Sequence, residues 1–151
     1  MRQLASGVSV IATRDKSGRP YAMTVTSITS VTDEPPALLI CLHRQAAVAQ
    51  VIGVGAIISA NILKSDQQSV SDRCAYTPNE EDRFSEGQWQ DCELTHVPCL
   101  QDGLATFICE VTQCIPYGTH DIVIANISSV KLHDENSEPL IYCRGGYCDL
   151  A

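Results

Sequence analysis

The chain has 151 residues, 44% of them hydrophobic and 19% charged, with a formal net charge of −8. That length suits one compact domain with a real core, and the apolar share excludes a disordered chain. The charge argues against a general nucleic-acid binder, which needs a basic face for phosphates, and no apolar run reaches the ~20 residues of a membrane span. The start, MRQLASG, carries no signal-peptide pattern and opens directly into a strand. Native residues are therefore expected upstream, and the protein is expected in the cytoplasm.

GVSVIAT (7–13) alternates in hydrophobicity and predicts a strand; RDKSGRP (14–20) is a charged turn, and YAMTVTS (21–27) is the second arm of a hairpin. DEPP (33–36) breaks the chain before ALLICL (37–42), a short apolar strand. HRQAAVAQVIGVG (43–55) predicts a helix ended by glycine, and AIISANIL (56–63) a further strand. KSDQQSVSDRCA (64–75), with its Ser-x-x-Gln start, predicts a polar helix. Residues 76–103 read as loop. ATFICEV (105–111), HDIVIANISSVKL (120–132, long enough to bend) and PLIYC (139–143) are strands. Seven strands and two short helices predict a mainly β protein, a closed or split antiparallel barrel.

Eight cysteines occur, none in CxxC spacing. Several lie inside apolar strands, so free thiols are the first expectation, with a disulfide or metal as the alternative. The sequence has no GxGxxG, no GxxxxGKS and no serine nucleophile elbow. Paired carboxylates occur only in loops such as NEEDRF, which suits a solvated face.

The stretch TVTSITSVT (24–32) is unusual: six of its nine residues carry a hydroxyl and the other three are Val or Ile. Its hydroxyls either satisfy one another and solvent, or face a ligand rich in hydrogen-bonding atoms, such as a flavin ring or a phosphate. Nearby, CLHR (41–44) ends a strand with Arg44, either a surface residue or a phosphate ligand. GTHD (118–121) sets His120 at the mouth of a strand, either capping the turn or facing a ligand. Ser71, Asp72 and Arg73 are either helix-surface polarity or binding groups.

These segments, in this order, resemble the flavin reductase-like family. Its members are short-chain NAD(P)H:flavin oxidoreductases of two-component monooxygenases, among them the reductases of 4-hydroxyphenylacetate hydroxylation. The resemblance rests on GVSVIAT, MTVTSITSVTDEPPALLICLHR, AIISANIL, SDRCA, EDRF followed by Trp, GTHDIVI and PLIYCRGGY, nearly the whole chain. Cys74 stands where the family usually has Phe. It implies a single domain over 1–151 with the FMN-binding split-barrel, Greek-key fold, and the family's N-terminal helix largely missing. It also implies a homodimer with the pocket at its interface, FMN or FAD as flavin, NADH or NADPH as reductant, and a flavin-dependent oxygenase as partner. By the same resemblance Met23, Thr24, Val25, Thr26 and Ser27 line the flavin, and Cys41, Leu42, His43 and Arg44 approach its phosphate. Ala60, Asn61 and Ile62 flank the ring, Ser71, Arg73 and Phe84 add contacts, and His120 serves catalysis on the nicotinamide side; no metal is implied. A flavin-binding barrel without turnover, or a thiol-based redox or metal protein, are the alternatives.

Overall fold

The computed structural model describes residues 1–150. In chain order the elements are β1 (Ser6–Gly7), β2 (Ser9–Arg14), β3 (Pro20–Val25), β4 (Ile28–Asp33), β5 (Pro36–His43), α1 (Ala47–Val51), β6 (Ile57–Ile62) and α2 (Gln68–Tyr76). A 3-10 turn (Glu81–Phe84) leads to β7 (Trp89–Asp91), β8 (Pro98–Leu100), β9 (Ala105–Tyr117), β10 (His120–Leu132), β11 (Ile141–Cys143) and β12 (Gly146–Cys148). Seven strands form one antiparallel sheet in the order β3-β2-β6-β9-β10-β5-β4, with β1-β11-β12 and β7-β8 as small satellites. The predicted mainly β, split-barrel architecture is what the chain adopts.

The sheet closes through its own connectivity. Its two edge strands, β3 and β4, are consecutive in the chain and separated only by Thr26 and Ser27. Ser27 extends the β4–β5 ladder by one step: its carbonyl accepts from the Cys41 N–H at 3.1 Å, and its Oγ donates to the Cys41 carbonyl at 2.8 Å. The hydroxyl-rich stretch is therefore not one strand but two, bent where the barrel shuts.

Strand β2 explains the two-layered core. Alternation predicts one buried face, but both are buried. Ile11 packs inside the barrel with Val25, Ile40, Leu42, Ile58, Val111 and Val123. Val8, Val10 and Ala12 pack outward with Val70 and Cys74 of α2, Leu63, Leu100 and Leu140. Each fully buried Ile or Leu contributes about 1.5–3 kcal/mol, so the outer layer is a second core that holds α2 and the β11–β12 hairpin against the barrel.

Several sequence-based boundaries shift, each for a local reason. The first helix shrinks to α1, because Ala46 and Ile52 are extended and two glycines follow. The second starts at Gln68, not Lys64: buried Gln67 accepts from the Lys64 N–H and donates to the Asp102 carbonyl, stapling the loop instead of continuing a helix. It ends at Tyr76, because Thr77, the residue before Pro78, is extended, as proline demands of its predecessor. Residues 76–103 contain the unpredicted β7–β8 hairpin. Strand β9 runs six residues past its expected end. Bulges in the β9–β10 ladder leave Thr112 and Ser128 unpaired, and their hydroxyls donate to the Ile124 and Ile108 carbonyls. These bulges bend the long hairpin and carry its tip to the seam. No helix among the described residues is long and apolar enough to cross a membrane.

Candidate active site at the barrel seam

A cleft of about 1090 Å³ opens at the seam. Thr26, Ser27 and Cys41 form one wall, the hairpin tip Tyr117–His120 another, and Tyr142, Arg144 and Arg2 a third. A hollow of about 170 Å³ adjoins it, sharing Thr26 and Tyr142 and reaching Thr24, Ser71 and Tyr147. The cleft matches the size of small-molecule and cofactor sites. The chain carries 18 Asp and Glu, yet none lines the cleft, which presents two arginines and a histidine. A third hollow of about 310 Å³, beside the β7–β8 hairpin, has Asp91 and Glu93 in its wall with Lys131, and none of the predicted residues lines it.

Accounting for each hydroxyl answers what the ladder does. Thr24 Oγ1 donates to the Ser71 carbonyl at 2.6 Å and fastens β3 to α2. Ser27 Oγ donates to the Cys41 carbonyl and ties the start of β4 to β5. Thr29 and Thr32 donate to carbonyls one and two residues on, at 3.4 Å each. The hydroxyls of Thr26 and Ser30 have no partner among the described residues, and of the two only Thr26 lines the hollows, both of them. The N–H groups of Thr26 and Ser27 likewise find no partner among the described residues: Thr26 lies between the two ladders, and at Ser27 the hydroxyl takes the Cys41 carbonyl. Met23 and Val25 pack in the barrel core, and Val25 also borders the smaller hollow. At the bend between β3 and β4, Thr26 thus lines the cleft with a hydroxyl that has no protein partner among the described residues.

The hairpin tip is held with equal economy. Gly118, at φ +57°, occupies the first central position of a two-residue turn between Tyr117 and His120, as a type II′ turn requires. His120 lies exposed, its Nδ1 2.9 Å from the Thr119 hydroxyl. Its ring meets that of His43 edge-on, with centroids 5.0 Å apart. The Gln45 N–H donates to His43 Nδ1 at 3.2 Å, so in the neutral ring the proton sits on Nε2. Arg44 donates its N–H to the Thr119 carbonyl at 3.0 Å and lies 3.9 Å from Asp121. CLHR therefore buttresses the GTH turn, and its Arg44 already has a carboxylate neighbour. Leu42 is buried in the barrel core.

Other predicted residues lie elsewhere. Ala60 and Asn61 are fully buried on β6 and Ile62 half-buried; none lines the cleft. Asn61 is completely used within the protein. Its Nδ2 donates to Val10 O and lies 2.9 Å from Ser59 Oγ, and its Oδ1 accepts from the Leu100 N–H and the Thr106 hydroxyl. Ser71 is buried beside the smaller hollow, 2.8 Å from the Tyr147 hydroxyl, which donates to Asp72 at 2.6 Å. Burial, then the bond to Asp72, pushes the Tyr147 phenol up to about 12. Arg73 is exposed and 3.9 Å from Glu86. Phe84 packs edge-on against Trp89, away from the cleft. Its neighbour Arg83 clamps the loop instead, donating to the Thr77, Ala22 and Cys74 carbonyls beside buried Glu80.

Sequence reasoning missed Arg144, Arg2, Tyr117 and Tyr142. The Arg-Gly-Gly of the last hairpin was the available signal, a turn sequence with a cation at its tip. All eight cysteines are free. Burial pushes the Cys74 and Cys109 thiols up to about 12 and Cys99 to about 11, which keeps them protonated and unreactive.

Fold and cleft together define a β-barrel with a cleft walled by arginines, tyrosines and a histidine where its edge strands meet. The flavin reductase-like domain model matches residues 1–151. The FMN reductase (NADH) RutF of Acinetobacter baylyi is 32% identical over 149 residues, covering 99% of this chain and 78% of the relative. The reductase component of an FADH(2)-dependent resorcinol hydroxylase from Rhizobium is 34% identical, covering 98% and 82%. A solved structure from Haemophilus somnus, assigned there as a flavin reductase, superposes with a TM-score of 0.91 at 33% identity, covering 99% of this chain and 94% of the other. The chain belongs to the flavin reductase-like domain family.

Proposed function

We propose that this chain, acting as a single domain in the cytoplasm, is an NADH-dependent flavin reductase that supplies reduced FMN or FAD to a separate monooxygenase. The observation that carries the reading is the seam: the Thr26 hydroxyl, without a partner, lines a cleft that has arginines, a histidine and, among the described residues, no carboxylate, in an acidic chain. A bound flavin supplies the redox chemistry, its ring taking the hydride of the nicotinamide. Thr26 and Ser27 orient the ring and stabilise the negative charge that reduction places on its pyrimidine side. His120 donates a hydrogen bond from the hairpin tip to the nicotinamide amide or the reduced ring; it orients and need not transfer a proton. Cofactor chemistry of this kind explains why the chain carries no nucleophile and no paired acid and base. The exposed walls suit a flavin that enters and leaves as a substrate.

A homodimer fits the same reading. Beyond Val111 the outer edge of β9 has no strand partner, and Ile115 and Tyr117 lie exposed along it. The mass in solution at micromolar concentration tests it, and a monomer contradicts it.

The function is tested by NADH and NADPH consumption with FMN and FAD in turn. Turnover with NADH and at least one flavin supports the assignment. Flavin binding without turnover leaves a carrier instead.

A further inference from the structure

The cleft has a wall that hydride transfer between two rings does not use. Arg144 stands at the tip of the β11–β12 hairpin, and its N–H donates to the Arg2 carbonyl at 2.7 Å, which brings both arginines to the same cleft. We propose that Arg144, with Arg2, forms a subsite for the diphosphate of a dinucleotide. This rests on the flavin reductase reading and extends it to how the substrate is chosen.

Three independent observations meet here. The first is pairing. Arg14, Arg44, Arg73 and Arg83 each have a carboxylate within 2.7 to 3.9 Å. Arg19, Arg144 and Arg2 have none among the described residues; Arg19 lies instead over the Tyr21 ring, 5.7 Å from its centroid, which leaves Arg144 and Arg2 as the unpaired arginines of the cleft. The Arg144 side chain makes one bond, from Nε to Gln3 Oε1 at 3.3 Å, and its two terminal nitrogens are left to form a fork on a phosphate. The second is backbone. Arg144 and Gly145 take φ of +56° and +86°, the conformation of a type I′ turn. Asn or Gly fits the first position far better than an arginine. An arginine there is explained by what its guanidinium meets, since it adds nothing to the turn. The third is the rings. Tyr117, largely exposed, and Tyr142 share the cleft with these arginines and offer aromatic faces to a base beside the diphosphate.

Two ligands carry a diphosphate between aromatic rings: the nicotinamide dinucleotide and FAD. FMN and reduced nicotinamide mononucleotide carry only a monophosphate. The test is steady-state kinetics of wild type, Arg144→Gly and Arg144→Lys with NADH or reduced nicotinamide mononucleotide, each against FMN and FAD. Arg144→Gly is expected to raise KM about tenfold or more, the size of one charge-assisted contact, for the ligand that uses the subsite. A loss for NADH with either flavin assigns the subsite to the nicotinamide dinucleotide; a loss only with FAD assigns it to the flavin. The mononucleotide pair stays unchanged, Arg144→Lys recovers part of the loss, and Tm does not fall, because glycine suits the turn. Unchanged kinetics with both dinucleotides, or an equal loss with the mononucleotide pair, overturns the proposal. Wild type inactive with every pair sinks the reductase reading instead. Equilibrium titration of wild type and Arg144→Gly with NAD+ against nicotinamide mononucleotide, and with FAD against FMN, then decides the subsite without turnover.

Discussion

Two polar strand segments of this barrel look alike in sequence and do opposite work. Thr24–Ser27 sits at the seam and Ser59–Asn61 in the middle of the sheet. Both place small polar side chains on strands, and family resemblance assigns Thr24–Ser27 and Ala60–Ile62 to the flavin. In β6 every polar atom of Asn61 is consumed inside the protein, where an unmade bond costs the full desolvation of a buried group. At the seam the Thr26 hydroxyl and two backbone donors remain unmade: Thr26 lies between the two ladders, and at Ser27 the hydroxyl takes the Cys41 carbonyl. Unsatisfied polar groups at an accessible position, not polar content, separate the site from the scaffold.

Substitutions should divide along that line. Asn61→Leu, the largest effect, strands the Leu100 N–H in the core and removes the other bonds of the Asn61 side chain, so unfolding free energy falls by roughly 2–5 kcal/mol. Flavin affinity per folded molecule stays normal, which denaturant titration together with flavin titration checks. His120→Ala comes next. It should cost about 1–3 kcal/mol in kcat/KM for the nicotinamide, with little change in Tm, because the ring is exposed. If Tm drops while single-turnover flavin reduction stays normal, His120 only secures the turn. The smallest pair lies within the ladder itself. Thr26→Val should lose about 0.5–1.5 kcal/mol of flavin affinity at constant stability. Thr24→Val, which breaks the bond to Ser71, should lose a similar amount of stability at nearly constant affinity. Identical behaviour of the two would erase the distinction between them.

Much of the barrel was legible because hydrophobic alternation marks β2, β3, β5, β6, β9, β10 and β11 directly. The β7–β8 hairpin was hidden because its strands are three residues long, too short for a period to show. The division of TVTSITSVT into β3 and β4 was hidden for a different reason. Both halves carry the same residue types, and only partners distant in sequence, Ser9–Arg14 and Pro36–His43, reveal that they belong to different edges. The same limit applied to the site. His120 and Thr26 stood out as local motifs, whereas Arg144 acquires meaning only where its hairpin meets the N-terminal segment and the cleft. Asn61 shows the converse, since a residue type suited to ligand contact was absorbed by a core network joining β2, β6, β8 and β9.

The most direct test is one titration of isotope-labelled protein with FMN, following backbone amides and the Asn61 side-chain amide by proton–nitrogen correlation spectra. A flavin held at the seam moves the Thr26 and Ser27 amide resonances strongly and leaves the Asn61 side chain in place. Shifts at Asn61 and along β6, with Thr26 and Ser27 unmoved, would contradict the assignment of the seam as the flavin site.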